Sequence, residues 1–359
     1  MKVFNNVITD PVYIKPEKPD STTRKFLKSM IRDERDLPFL YLTIELTLVL
    51  IPLAVILYLP INEVVWWIAA VIFTLLNNFR YKGSFGLMLH CTSHRVFFEK
   101  KYGFLNHYLP WVIGPLFGQT PETYYTHHIG MHHPENNMPD DDSTTMPFQR
   151  DSLRGFGRYL GVFLAVGIVN LSRYFIKKHR KKLLIRSMRG ELLFFAMCIG
   201  LSFVNFPATL TVFILPFIIS RIIMMTGNWA QHAFICAAEP DNSYKNSITC
   251  INTKYNHQCW NDGYHISHHV KPSMHWTEHP HYFRQTLKEY IDNEAIVFDG
   301  IHFLHVWLYL MSKRYDLLAR HFVNIGNRFN SDEEVIAFLR SRTKKINLAT
   351  VPATSMVTA

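Results

Sequence analysis

Cysteine is scarce in this chain. Five residues (Cys91, Cys198, Cys236, Cys250 and Cys259) occur among 359, an odd number with no C-x-x-C pair. A disulfide framework therefore has no basis, and reduced thiols on a cytosolic side are expected. The chain also lacks an H-E-x-x-H helix and a Walker A loop, which leaves zinc-protease and P-loop chemistry without support. Its first residues are polar, with no cleavable signal-peptide pattern. No repeat or low-complexity linker divides it, so one domain is expected. Nothing resembles a nucleic-acid-binding module, although the formal net charge is +10. The alternative reading of that excess is an anionic membrane surface.

What is present supports the membrane. Apolar residues make up 48% of the chain and are concentrated in a few runs. Residues 38–59 are broken only by Thr43, Glu45, Thr47 and Pro52, and cover about 33 Å as a helix, enough for a bilayer core. A tight turn follows at 60–63. Residues 64–78 return across, and the helix is expected to continue towards His90. The stretch 104–118 is rich in Gly and Pro and too short to span, which suggests a re-entrant or interfacial segment. Residues 159–176 fit either a span or, with the KKHRKK run at 177–182 behind them, an interfacial helix on anionic lipid. The interfacial reading keeps all histidine clusters on one side. A second hairpin, 191–206 and 207–225, turns at Asn205-Phe206-Pro207. Arg221 near its end either snorkels to the interface or serves a buried role. Amphipathic helices are expected at 295–310 and 331–342.

The expected architecture is an all-α integral membrane protein with four transmembrane helices, at about 38–59, 62–80, 191–206 and 207–226. A cytosolic segment, 1–36, precedes a domain at 37–290, and 291–359 forms C-terminal cytosolic helices and a tail. Lys and Arg flank the start of the first span, the end of the second (Arg80, Lys82) and the start of the third, whereas the turns carry none. The positive-inside rule then places both termini and every histidine cluster in the cytosol.

Three histidine clusters dominate the chemistry: HCTSH at 90–94, HHIGMHH at 127–133 and HISHH at 265–269. In an α-helix His90 and His94 stand one turn apart. His128 and His132 share a face with His133 beside them, and His265, His268 and His269 lie on one face. Thr120 as N-cap and Pro121 would start the second helix, and Pro134 and Pro272 would limit the second and third. Alone, a histidine pair is more simply solvated. Together the clusters indicate a shared transition-metal site. Eight or nine neutral imidazoles exceed what one octahedral ion takes, so two oxygen-reactive ions are expected.

HCTSH, HIGMHH and HISHH, in this order around two membrane hairpins and followed by VKPSMHW, resemble the three histidine boxes of the membrane fatty acid desaturase family. The resemblance covers roughly residues 39–282. It implies four transmembrane helices under a cytosolic helical cap that holds two iron ions. His90, His94, His128, His132, His133, His265, His268 and His269 would be ligands. It adds His232, in GNWAQHAF, as a ninth, with Asn228 one turn earlier reaching iron through water. His127 departs as an extra neighbour, expected beside the site or exposed. Asp262, Asn261, Tyr264 and Glu122 either orient imidazoles or, for Asn261 and Asp262, cap the third-box helix. His275, His279 and His281 are expected in structural roles, and Asp140–Ser143 as a solvated loop.

The implied reaction is O2-dependent introduction of a double bond into a lipid acyl chain. Hydroxylation or decarboxylation by the same fold, on a fatty acid, sphingolipid or carotenoid, is the alternative, and a non-enzymatic membrane carrier of metal or haem the rival class. No His-Pro-Gly-Gly segment indicates a fused haem domain. Electrons are then expected from a separate acidic donor, cytochrome b5 or a ferredoxin, in the endoplasmic reticulum of a eukaryote or the inner or plasma membrane of a bacterium.

Overall fold

A computed structural model describes residues 1–351 apart from Asn6 and Lys18; the tail from 352 lies outside the described residues. The chain divides into two compact units. A hairpin unit comprises 13–127 and 179–221, and a box unit comprises 1–12, 128–178 and 222–359.

Among the described residues, five helices are long and apolar enough to cross a membrane: α1 (Glu34–Ile56), α2 (Glu63–His94), α3 (Leu153–Lys177), α4 (Lys181–Val204) and α5 (Phe206–Gln231). The sequence predicts four, with the stretch inside α3 at the interface; by length and composition alone α3 qualifies as well. α2 shows why such helices need lipid. Val64, Trp67, Ile68, Val71, Leu75 and Phe79 follow helical spacing along one face, and all are exposed, Phe79 by 82%. A continuous apolar stripe of this length is not left against water.

Local chemistry sets the turns. Asn62 accepts from Val64 N at 2.9 Å and caps α2, while Trp66 Nε1 donates to Leu57 O at 2.8 Å and closes the hairpin. Asn205 ends α4 and accepts from Ala208 N at 3.0 Å to start α5. Both helices of this second hairpin run beyond the expected 191–206 and 207–226. α2 continues through a π-helical stretch, Leu76–Tyr81, to His94, as the second span is expected to.

That continuation changes the role of Lys82. Expected as a flanking charge, it lies buried inside α2 and donates to Ser220 Oγ at 2.8 Å. Arg221 does not snorkel. It stands 3.4 Å from Glu191, with its guanidinium 3.6 Å from the Phe217 ring centroid. All five cysteines carry free thiols.

In the box unit the sequence reading missed a two-stranded parallel sheet. β1 (Ile248–Ile251) pairs with β2 (Ile296–Asp299) in the register Ile248↔Ile296 to Ile251↔Asp299. The amphipathic helix expected over 295–310 starts only at Phe303, because Ile296-Val297-Phe298 is buried on both faces and made of β-branched and aromatic residues. The helix expected at 331–342 is present as Asp332–Arg342, with Ser331 as its N-cap.

Arg150 anchors this unit. It is fully buried, and its guanidinium donates to the backbone oxygens of Thr145, Met146, Phe148, Ala233, Arg342 and Lys344 at 2.6–3.4 Å. Burial pushes its pKa down to about 9. One planar five-donor fork thus joins the second-box loop, the end of α5 and the C-terminal helix.

Candidate metal centre

The second box does not form the expected α-helix from Thr120. A short helix, Thr123–His127, is followed by a π-helical turn, His128–His132, and then by His133–Glu135. A π turn brings residues i and i+5 into register instead of i and i+4. His133 Nε2 therefore lies 3.0 Å from His128 Nε2, and also 2.8 Å from His268 Nε2 in the third box. The His128 and His268 rings are nearly parallel, 8° apart with centroids at 5.8 Å. His128 and His132, expected on one face, serve two different groups.

The second group comprises the buried His132, His232 and His265 with the half-buried His269, each offering a ring nitrogen within 4.8 Å of the others. His265 Nε2 is 3.2 Å from His232 Nε2 and 3.0 Å from His269 Nε2. The third-box helix, α6 (His265–Val270), is thus split like the second box. His265 and His269, one turn apart, enter this group, and His268 turns to the first. One face of a six-residue helix spans about 100°, which is wide enough to address two neighbouring points.

His232 shows what the group is built to hold. It is fully buried, and burial pushes its pKa down to about 3, so the ring is neutral. Its Nδ1 lies 2.9 Å from the carbonyl of Asn246, which can only accept. The proton therefore sits on Nδ1, and Nε2 points a lone pair at His265 Nε2. His132 is held in the same way: its Nδ1 faces Asp141 Oδ2 at 2.7 Å. Imidazoles fixed from behind, with ring nitrogens converging to within 4.8 Å of one another, suit a transition cation, and the outer carboxylate and carbonyl complete that pattern.

Asp141 corrects the expectation of a solvated loop. Its carboxylate is 1% exposed and also accepts from Ser143 Oγ at 2.6 Å, Ser143 N at 2.8 Å and Asn137 N at 3.1 Å. The only sequence signal is an Asp nine residues after a box histidine, which spacing alone does not distinguish from its neighbours Asp140 and Asp142.

The remaining candidates are placed as follows. His90 and His94 stand one turn apart at the end of α2, with ring centroids 5.3 Å apart. Asn228 Nδ2 donates to Ser143 O at 2.9 Å and Tyr159 Oη at 2.7 Å, so its amide braces the Asp141 loop. Asp262 accepts from Tyr255 Oη at 2.6 Å and Gln231 Nε2 at 3.4 Å. Neither Asp262 nor Asn261 caps α6; Tyr264 occupies that position. Glu122 takes Trp111 Nε1 at 2.8 Å and Arg186 Nε at 2.5 Å. His127 ends the short helix before the π turn. His279 Nδ1 meets Ser267 Oγ at 2.7 Å, and His275 caps Trp276–Glu278.

A family model described as fatty acid desaturase matches residues 23–300, which include all three boxes and His232. No curated protein and no solved structure matches the chain. The chain belongs to the fatty acid desaturase family. Membership makes it an oxidoreductase of lipid acyl chains, a desaturase or a related oxygenase, with histidine clusters able to hold metal.

Proposed function

We propose that this protein is an O2-dependent fatty acyl desaturase whose nine histidines, His90, His94, His128, His132, His133, His232, His265, His268 and His269, hold two irons. The convergence of His132, His232, His265 and His269, with tautomers set by Asn246 and Asp141, carries the reading. Bound iron supplies the reduction of O2 that removal of hydrogen from an unactivated C–H bond requires. The chain's own part is to fix imidazole direction and exclude bulk water by burial. Electrons come from a separate carrier, cytochrome b5 or a ferredoxin.

The four-span, cytosolic-cap topology is part of the proposal, and parity supports it. His132 precedes α3 and His232 follows α5, yet their rings stand 5.4 Å apart. If α4 and α5 both cross, α3 cannot. A polar side of α3 agrees with an interfacial position: Tyr159 donates to Ser143 O, Asn170 to Asp142, Tyr174 to Glu135, and Lys177 pairs with Asp140.

The test is expression in a host of known lipid composition, with mass-spectrometric profiling of acyl chains and metal analysis of the purified protein. A new double bond and two irons per chain are expected. A hydroxylated product would assign the oxygenase alternative, and one zinc with no product would remove the di-iron reading.

A further inference from the structure

The segment 1–12 precedes the matched residues 23–300 and belongs to the box unit. It is tied down along its length. Lys2 N donates to Phe322 O at 2.7 Å, and Asn324 N donates back to Lys2 O at 2.9 Å. Phe4 meets Phe283 edge-on at 5.7 Å, and Ile8 packs with it on the buried cluster of Tyr264, Ile266 and Phe283. Asn252 Nδ2 donates to Val7 O at 3.1 Å, and Thr9 N to Asn252 Oδ1 at 2.8 Å.

At the end of this strap stands Asp10, 4% exposed. Its Oδ2 accepts from the Tyr264 hydroxyl at 2.6 Å and from Asn252 N at 2.7 Å, and its Oδ1 from Thr253 N at 3.2 Å. Next to it, Pro11 O accepts from Asn261 Nδ2 at 2.7 Å. Asn252 and Asn261 both hold left-handed backbone, φ 56° and 57°, so each loop bends where the strap grips it. Tyr264 directly precedes His265 and is fully buried. Its carbonyl accepts from His268 N at 3.1 Å and Ser267 Oγ at 2.9 Å, which makes it the start of α6.

We propose that Asp10 is a positioning residue for the metal centre: through the Tyr264 hydroxyl it fixes the start of α6 and hence the directions of His265, His268 and His269. The segment before the family-matched region is then a working part of the site, not a lead-in. The proposal rests on the reading of these histidines as iron ligands. Charge-assisted bonds to a buried carboxylate are short and strong, and removal of the carboxylate strands a phenol and two backbone N–H groups. Partners one step behind metal ligands change metal affinity by about 10–100-fold.

The experiment uses the full-length protein in detergent. Iron release to a chelator and thermal unfolding of the iron-free form are compared for wild type, Asp10→Ala, Asp10→Asn, Tyr264→Phe and the Asp10→Ala/Tyr264→Phe double variant. Asp10→Ala and Tyr264→Phe are each expected to speed iron loss about 10-fold or more. The double variant should be no worse than the worse single, and Asp10→Asn, which keeps an acceptor, should recover part of the loss. Tyr264→Phe should unfold, iron-free, near the wild-type temperature, so the test stands even where Asp10→Ala folds poorly. Iron retention within twofold of wild type in Tyr264→Phe, or losses that add in the double variant, overturns the proposal. A wild-type protein that holds no iron removes the metal reading and this inference with it, a different result from variants that keep iron as wild type does.

Discussion

Asp141 stands directly behind His132, its Oδ2 2.7 Å from the imidazole Nδ1. A carboxylate in that place fixes which nitrogen faces the metal and raises the basicity of the other. Asp141→Ala is expected to lower iron affinity and turnover by about 10–100-fold. Asp141→Asn, which can still accept from His132, should lose less. Equal metal content and turnover in wild type and Asp141→Ala would show that His132 is aligned by something else.

His232 and Asn228 should separate in kind. His232→Ala removes a buried imidazole whose lone pair faces His265, so turnover should vanish while the protein still inserts in the membrane. Asn228→Ala loses the bonds to Ser143 and Tyr159 and should only weaken turnover, by about 10–100-fold. Retention of both irons and near-normal product in His232→Ala would reduce that histidine to a structural role.

The loss of Arg150 should be costly. Arg150→Met leaves six backbone oxygens without their donor, at about 3–5 kcal/mol. Thermal unfolding in detergent should show a large drop and expression should fall. A shift of only a degree or two would mean that water or neighbours replace the guanidinium.

Asp142 is the weak point of the same loop. Its Oδ2 is buried without a partner, and burial raises its pKa to about 6. A carboxyl that holds its proton longer when folded stabilises the fold least at high pH: stability falls between pH 3.8 and about 6, and the cost is complete above that. Asp142→Asn keeps an acceptor for Asn170 and should stabilise the protein at pH 7.5 by about 1–3 kcal/mol, with the advantage smaller at pH 5. Unfolding temperatures at the two pH values check this. An equal or reversed difference would contradict it.

Topology is checked by tags. A cysteine or glycosylation site at Asn62 should report the non-cytosolic side, and tags at Ser21 and at the exposed Lys288 the cytosol. Opposite sides for Ser21 and Lys288 would mean an odd number of crossings and would end the four-span reading.

The histidine boxes, the apolar helices and the family were legible in the sequence, because they depend on residue type, run length and local spacing. Those are properties of the chain taken a few turns at a time. How the imidazoles divide was not legible. His128 joins His133 and His268, and His132 joins His232, His265 and His269, because the second box winds as a π turn. A π turn and an α turn share the same residues and differ only in which packing is satisfied around them. Asp141 was indistinguishable from Asp140 and Asp142 until the loop turned one carboxylate to His132 and its neighbours to Lys177 and Asn170. The strand pair and the Asp10 strap were hidden for a related reason. Ile248–Ile251 finds its partner 48 residues on in Ile296–Asp299, and Asp10 reaches Tyr264 across 254 residues. Contacts at such separations are chosen by burial of the whole unit, which no local pattern encodes.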